Sequence, residues 1–218
     1  MRYFCNDMKD LSILSENLAQ RLEKPLPGLD SQLLMASRKR LKFPFRKGVP
    51  GTAKPSGVLI LLYPHKKDFY FALIRRPDYT GVHSGQISLP GGKFEKHDRD
   101  LEQTALREAH EEVGIMPSAV KIIGKLTPLY IPPSNYIVTP ILGWSVSRPE
   151  FKKDPREVDD IIEVSLADFL DDRHMQRKRI KLFMGLSANF PCYYIEGNII
   201  WGATAMILSE FRTILKEL

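Results

Sequence analysis

The stretch Gly92-Lys93-Phe94-Glu95-Lys96-His97-Asp98-Arg99-Asp100-Leu101-Glu102-Gln103-Thr104-Ala105-Leu106-Arg107-Glu108-Ala109-His110-Glu111-Glu112-Val113-Gly114-Ile115 decides how the chain is read. A Gly-rich loop, Leu89 to Lys93, leads into it, and the pattern predicts a helix from about Leu101 to Val113. Gly114 terminates that helix, since only glycine takes the left-handed C′ conformation without steric cost. At 3.6 residues per turn, Glu108, Glu111 and Glu112 fall within about 100° of one another. Ala105, Ala109 and Val113 form a separate stripe that suits packing on a sheet. Carboxylates crowded on one face repel each other unless something neutralises them. A hard divalent cation does so with oxygen ligands, and Mg²⁺ recruits phosphate oxygens as further ligands. Gly91 and Gly92 would let the backbone approach such a ligand closely. The plainer reading of the same face is a solvated acidic surface balanced by Arg107 and lysines.

Working outward, Val58–Tyr63 and Phe69–Arg75 read as strands joined by a hairpin around Pro64–Asp68. Further strands are expected at Val120–Leu126, Ile137–Val146 and Asp160–Val164. A short helix should start at Ser165, with Asp168 completing a variant capping box. Cys192–Ile195 and Ile199–Trp201 flank a tight turn at Glu196-Gly197-Asn198, and Ala203–Lys216 reads as a closing helix. Towards the amino terminus, Leu11, Leu14, Leu18 and Leu22 predict an amphipathic helix over Asp10–Lys24. Pro25, Pro27 and Gly28 end it, and Asp30 is expected to cap a second helix running to about Leu41. Pro44, Gly48, Pro50, Gly51 and Pro55 mark a linker. The expected division is therefore a helical extension with its linker over residues 1–56 and an α/β domain over 57–218, its sheet packed between helices.

Composition agrees with a soluble globular protein: of 218 residues, 43% are hydrophobic and 27% charged. The longest apolar run, Val58 to Tyr63, has six residues, far below the ~20 a membrane helix needs. No secretory leader is expected, because Asp7 and Asp10 interrupt the amino terminus. Cys5 and Cys192 are isolated thiols, which points to a reducing, cytoplasmic compartment. The net charge of +6 is concentrated early: residues 1–56 hold 11 Lys and Arg against 5 Asp and Glu. Arg38, Lys39, Arg40, Lys42, Arg46, Lys47 and Lys54 form an acid-free run that would attract a polyanion or simply present a solvated basic face.

The Gly92–Ile115 stretch resembles the Nudix box, G-x5-E-x7-R-E-U-x-E-E-x-G-U, where U is a bulky aliphatic residue. It departs from the pattern in the middle. Asp98 stands where the family usually has Glu, eight residues rather than seven separate it from Arg107, and Ala109 occupies a U position. This expansion, together with His83-Ser84-Gly85-Gln86-Ile87-Ser88-Leu89-Pro90-Gly91-Gly92-Lys93, looks like the coenzyme A diphosphatase branch. Tyr130–Asn135, Glu157-Val158 and Ile200–Ala205 look familiar for the same branch. The resemblance implies a Nudix fold, an α/β/α sandwich with a mixed sheet, here preceded by the helical extension. It implies Mg²⁺ or Mn²⁺ held by Glu108, Glu111 and Glu112, with a backbone carbonyl from Gly92 or its neighbour. Arg107 matches the arginine that orients a catalytic glutamate. The implied reaction is hydrolysis of coenzyme A, or an acyl or oxidised form, to 3′,5′-ADP and a 4′-phosphopantetheine product. Other Nudix substrates, such as ADP-ribose or a dinucleotide, remain alternatives, as does a non-catalytic nucleotide- or nucleic-acid-binding module. The partner expected is a small molecule, with neither membrane nor nucleic acid.

Candidate residues outside the box are fewer. Arg75 and Arg76 could recognise phosphate, since guanidinium binds it bidentately; they and the basic stretch Arg38–Lys47 are available for the contact that would distinguish the 3′-phosphate of coenzyme A. Glu157 could act as a late metal ligand or a base, or be a surface carboxylate. His83 serves either the substrate or the packing of its loop. Ser134 and Asn135 follow two prolines and either line the substrate site or form a turn. Three other motifs are excluded by spacing: Gly114 replaces the second histidine of HExxH, Ser84 sits one place late for G-x-S-x-G, and Gly91-Gly92-Lys93 lacks the P-loop interval.

Overall fold

Val58 to Tyr63 is apolar at nearly every position because the strand it forms is covered on both faces. In the computed structural model, which describes residues 8–37, 40, 49–77, 85–181 and 187–218, that strand is β1 (Lys54–His65). It turns through Lys66 and Lys67 into β2 (Asp68–Arg75), with His65 opposite Asp68. Then follow β3 (Ile87–Ser88), β4 (Gly91–Lys93), β5 (Lys121–Lys125), β6 (Leu129–Ile131), β7 (Tyr136–Trp144) and β8 (Asp160–Ser165). These build one mixed sheet. β1 and β7 are parallel from Lys54–Tyr136 to Leu62–Trp144, and the other pairings are antiparallel.

The period-2 alternation of β1 divides the core. Leu59, Leu61 and Tyr63 face α3 (Leu101–Val113) and meet Ala105, Ala109 and Val113 there. Ile60 and Leu62 face the opposite layer, formed by α1 (Met8–Leu22) and α5 (Gly202–Lys216). Phe71, Phe169 and Phe211 stack and tilt against one another in that second layer, with Phe169 and Phe211 centroids 5.9 Å apart. The sandwich of helices around a mixed sheet is the architecture expected from the sequence. Among the described residues, no helix is long and apolar enough to cross a membrane.

Leu11, Leu14 and Leu18 of α1 are buried in the same core as α5. A buried carboxylate, Glu210 on α5, fastens this region. It accepts hydrogen bonds from Gly28 N–H at 3.1 Å, Gln32 Nε2 at 2.9 Å and Thr127 Oγ1 at 2.6 Å. The second helix departs from expectation. α2 (Gly28–Leu33) starts after Pro27 with no side-chain cap, and Asp30 lies in its first turn. It ends well before Leu41, because Leu34, Met35 and Ala36 donate three residues back, the tightened pattern of a closing turn. Most of the basic run falls outside the described residues. Arg40 is within them and donates to the Tyr130 carbonyl.

α4 (Leu166–Leu170) starts as expected: Ser165 Oγ accepts from Asp168 N–H at 3.0 Å and donates to its carboxylate at 2.7 Å. Four strands were not expected from the sequence: the short β3, β4 and β6, and a longer one after α4. β9 (Met175–Lys181) pairs with β10 (Ser187–Ile195), which turns into β11 (Asn198–Trp201) through Glu196 and Gly197, φ 48° and 80°. Positive φ at both residues is the signature of the mirror-image hairpin turn expected there. β9 is held by its ladder with β10 and has no apolar face to betray it.

Candidate active site

Two glycines bring the helix down onto the sheet. Gly57 of β1 faces Gly92 of β4. A Cβ at Gly57 would stand 2.5 Å from the Leu101 carbonyl, and one at Gly92 would stand 2.5 Å from the Glu108 carboxyl. α3 therefore rests directly on backbone, with Glu108 against the turn at Gly91-Gly92. Its ends are as the sequence predicts. Asp100 caps the start by accepting from Gln103 N–H at 2.9 Å. Gly114 closes it at φ 75°, with Ile115 N–H reaching the Ala109 carbonyl.

Glu112 is 1% exposed. Its Oε2 accepts from Gly91 N–H at 2.8 Å, and its Oε1 lies 3.6 Å from Arg76 Nη2. Burial pushes its pKa up to about 7, against the opposing pull of Gly91 and Arg76, and the charges of Glu108 and Glu157 add to the rise. Glu108 is also raised by burial, with Arg107 opposing and Glu111 and Glu157 adding to it. The charge of Glu157, from the loop before β8, is thus felt by both Glu108 and Glu112.

Arg107 organises the outer part of the site. One Nη1 donates to both Glu108 and Glu111 at 3.0 Å, and Nη2 donates to the Lys93 carbonyl at 3.1 Å. Its opposite edge is clamped by Asp98, Nε to Oδ1 at 2.9 Å and Nη2 to Oδ2 at 3.0 Å. Asp98 also accepts from Glu95 N–H and Thr104 Oγ1, both at 2.9 Å. The Arg107 guanidinium holds the Asp98 carboxyl well below the usual carboxylate range. The sequence reading gave Asp98 no role, yet the signal was present: a carboxylate one methylene shorter accompanies a loop one residue longer.

The remaining candidates separate. Arg76 reaches the carboxylates, whereas Arg75 donates to Asn198 at 2.6 Å in the β10–β11 turn. Ser134 donates to the Ile131 carbonyl at 3.4 Å. Asn135, at φ 54°, accepts from Tyr130 Oη and donates to the Thr52 carbonyl, both at 3.0 Å. Both residues build the β6–β7 turn. His83 lies outside the described residues. The Gly92 carbonyl accepts the Ser56 hydroxyl at 2.6 Å.

Among the described residues no three metal-ligating side chains are preassembled as a cation site. Arg107 engages Glu108 and Glu111, and Gly91 engages Glu112. The donor set nevertheless suits a hard divalent cation: every side-chain donor is an oxygen, burial, with a smaller push from neighbouring carboxylates, makes Glu108 and Glu112 resist ionisation, and a side-chain-free Gly92 leaves backbone beside Glu108.

The chain matches the model of the NUDIX domain over residues 53–183. It is 38% identical over 136 residues, 62% of this chain and 67% of the relative, to an uncharacterized Nudix hydrolase NudL of Yersinia pestis (strain Pestoides F). The same figures hold for the NudL of Yersinia pseudotuberculosis serotype O:1b (strain IP 31758). A crystal structure of a Nudix hydrolase from M. smegmatis, RenU, shares the fold at TM-score 0.51 and 14% identity, covering 76% of this chain and 88% of that one. The chain belongs to the Nudix family. Nudix hydrolases act on nucleoside diphosphate derivatives and generally use divalent metal ions.

Proposed function

We propose that this chain is a cytoplasmic Mg²⁺- or Mn²⁺-dependent diphosphatase of coenzyme A or its acyl or oxidised forms, releasing 3′,5′-ADP and a 4′-phosphopantetheine product. The observation that carries the hydrolytic reading is the placement of Glu112 against Gly91 and of Glu108 against Gly92 on β4, with Arg76 3.6 Å from Glu112. The coenzyme A assignment rests on the resemblance of the His83–Lys93 segment. Within the expanded box, the Asp98–Arg107 clamp keeps the arginine in place.

Glu108, Glu111, Glu112 and Glu157 would hold the cation. The Gly91 carbonyl would join them, because Gly91 lies opposite Val58 between the ladder bonds of its neighbours and its C=O points away from β1. Bound there, the cation would screen the pyrophosphate charge and lower the pKa of an attacking water. Arg107, fixed by Asp98, keeps Glu108 and Glu111 in place. Arg76 contacts the phosphates. The Glu157 backbone N–H donates to the Asp154 carbonyl, while its carboxylate has no hydrogen-bond or ion-pair partner among the described residues, which suits it to accept a proton from water. Catalysis then comes from positioning and charge stabilisation, as in other phosphoryl transfers.

The test is a panel of coenzyme A, 3′-dephospho-coenzyme A, ADP-ribose and a dinucleotide, assayed with Mg²⁺ and with products identified. Preferred cleavage of coenzyme A to 3′,5′-ADP is expected. A preference for ADP-ribose by orders of magnitude would overturn the coenzyme A assignment. Failure to hydrolyse any pyrophosphate would leave the binding-module reading in its place.

A further inference from the structure

We infer that Phe94 is the platform on which the base of the nucleotide substrate stacks, an inference that rests on the hydrolase reading above. Burying aromatic rings is a large part of what stabilises a core, and the core of this chain uses Phe69, Phe71, Phe169 and Phe211 in that way. Phe94 is the exception. It is 36% exposed, the one aromatic among the large hydrophobic side chains that the described residues leave exposed. Its ring makes no aromatic contact with another described residue.

Its position explains why an exposed ring would be kept. Phe94 N–H donates to the Pro55 carbonyl at 3.0 Å, continuing the β1–β4 ladder one step past Lys93. Side chains alternate along a strand, so Phe94 lies on the same face as Gly92, the face turned towards the Glu108 carboxyl. Two residues of strand place it about 6.6 Å further out. The carbonyl just before it is pinned by Arg107 at 3.1 Å, so the ring is mounted on the same rigid network that orients the carboxylates. A pyrophosphate held by those carboxylates carries its nucleoside outward from them. A flat apolar ring beside that path fits the face of a nucleobase, since every base has a π-face to stack.

The test combines binding and turnover. Titration calorimetry in Mg²⁺ would follow 3′,5′-ADP and, as a base-free probe, inorganic pyrophosphate, on wild type, Phe94→Ala and Phe94→Trp. Phe94→Ala should weaken 3′,5′-ADP about 5- to 150-fold and leave pyrophosphate within about twofold. In turnover, KM for the nucleotide substrate should rise with kcat held, and Phe94→Trp should restore both binding and KM. Unchanged 3′,5′-ADP binding by Phe94→Ala would overturn the inference. Equal weakening of pyrophosphate would overturn it too, by placing the effect on the carboxylate site. If wild type hydrolyses no pyrophosphate, the hydrolase reading itself fails. Hydrolysis intact with an indifferent Phe94 sinks only the stacking platform.

Discussion

Asp98 and Arg107 meet edge to edge through two parallel hydrogen bonds, 2.9 Å and 3.0 Å, with the Asp98 side chain fully buried. Removing one partner of such a pair strands the other charge away from water, which typically costs about 3–5 kcal/mol. Arg107 keeps some solvent contact and its bonds to Glu108 and Glu111, so at most the lower end applies to Asp98→Asn. That corresponds to a melting point lower by roughly 6–12 °C in a domain of this size. The pH dependence follows from the depressed Asp98 pKa. Its stabilisation is fully present above the ordinary carboxylate range and is lost as pH falls through the lower folded value. Urea melts from pH 2 to 6 should show wild type and Asp98→Asn converging at the acid end. A constant gap across that range would contradict the clamp.

Glu112 has the opposite sign. Its folded pKa of about 7 exceeds the ordinary 4.5, so the metal-free protein holds this contribution in full below about pH 4.5 and loses it as pH rises through 7. At about 1.36 kcal/mol per unit, the loss has an upper bound of about 3 kcal/mol. Glu112→Gln should nearly abolish turnover while remaining, in chelator at pH 8, at least as stable as wild type. Added Mg²⁺ should raise the melting point of wild type more than that of Glu112→Gln, because a ligand stabilises only the state that binds it. Full activity of the variant, or full wild-type activity in chelator, would remove Glu112 from the site.

The two facing glycines should fail differently when given a methyl group. At Gly57 the new Cβ meets the Leu101 carbonyl and the Ala105 nitrogen, backbone that cannot step aside. Gly57→Ala should therefore lower stability by about 1–3 kcal/mol, the range for overpacking. At Gly92 the nearest atoms it meets are the carboxyl at the far end of Glu108. Gly92→Ala should keep its melting point and lose turnover, because a 1 Å displacement of a positioned group is enough to cost about 100-fold. Paired thermal melts and assays separate the two, and equal destabilisation would show that the helix does not sit on the sheet as described.

What the sequence made legible follows from how strongly each segment repeats a physical pattern. α3 announced itself through its apolar stripe and Gly114, and β1 through a run that suits a doubly covered strand. β9 was invisible because Met175-Gln176-Arg177-Lys178-Arg179-Ile180-Lys181 carries three consecutive charges, shows no apolar alternation and owes its extension to pairing with β10. The length of α2 depended on tertiary partners, Glu210 and Thr127, that no local window contains. Within the site, helical period placed Glu108, Glu111 and Glu112 on one face, but reading them as ligands took the neighbouring glycines and the resemblance of the whole stretch. The Asp98 clamp was not legible, since it joins a loop to a helix across an irregular spacing. Arg75 and Arg76 could have been separated in advance: adjacent strand residues point to opposite faces, so a single ligand would not meet both.

That separation gives the last prediction. Arg76 lies 3.6 Å from Glu112 and Arg75 is committed to Asn198 at 2.6 Å. Position therefore assigns Arg76 to the pyrophosphate that the carboxylates would hold, rather than to a 3′-phosphate at the far end of the nucleoside. Losing a charge-assisted phosphate contact costs about 1.5–3 kcal/mol, roughly 10- to 150-fold in kcat/KM. Arg76→Ala should impose that loss on coenzyme A and on its 3′-dephospho form alike, leaving their ratio unchanged. Arg75→Ala should leave both rates within about threefold of wild type, with a small drop in stability from the lost Asn198 bond. A loss confined to coenzyme A would move Arg76 to the 3′-phosphate. A loss from Arg75→Ala as large as that from Arg76→Ala would show that the Asn198 contact, and with it the division of labour between the two arginines, does not survive substrate binding.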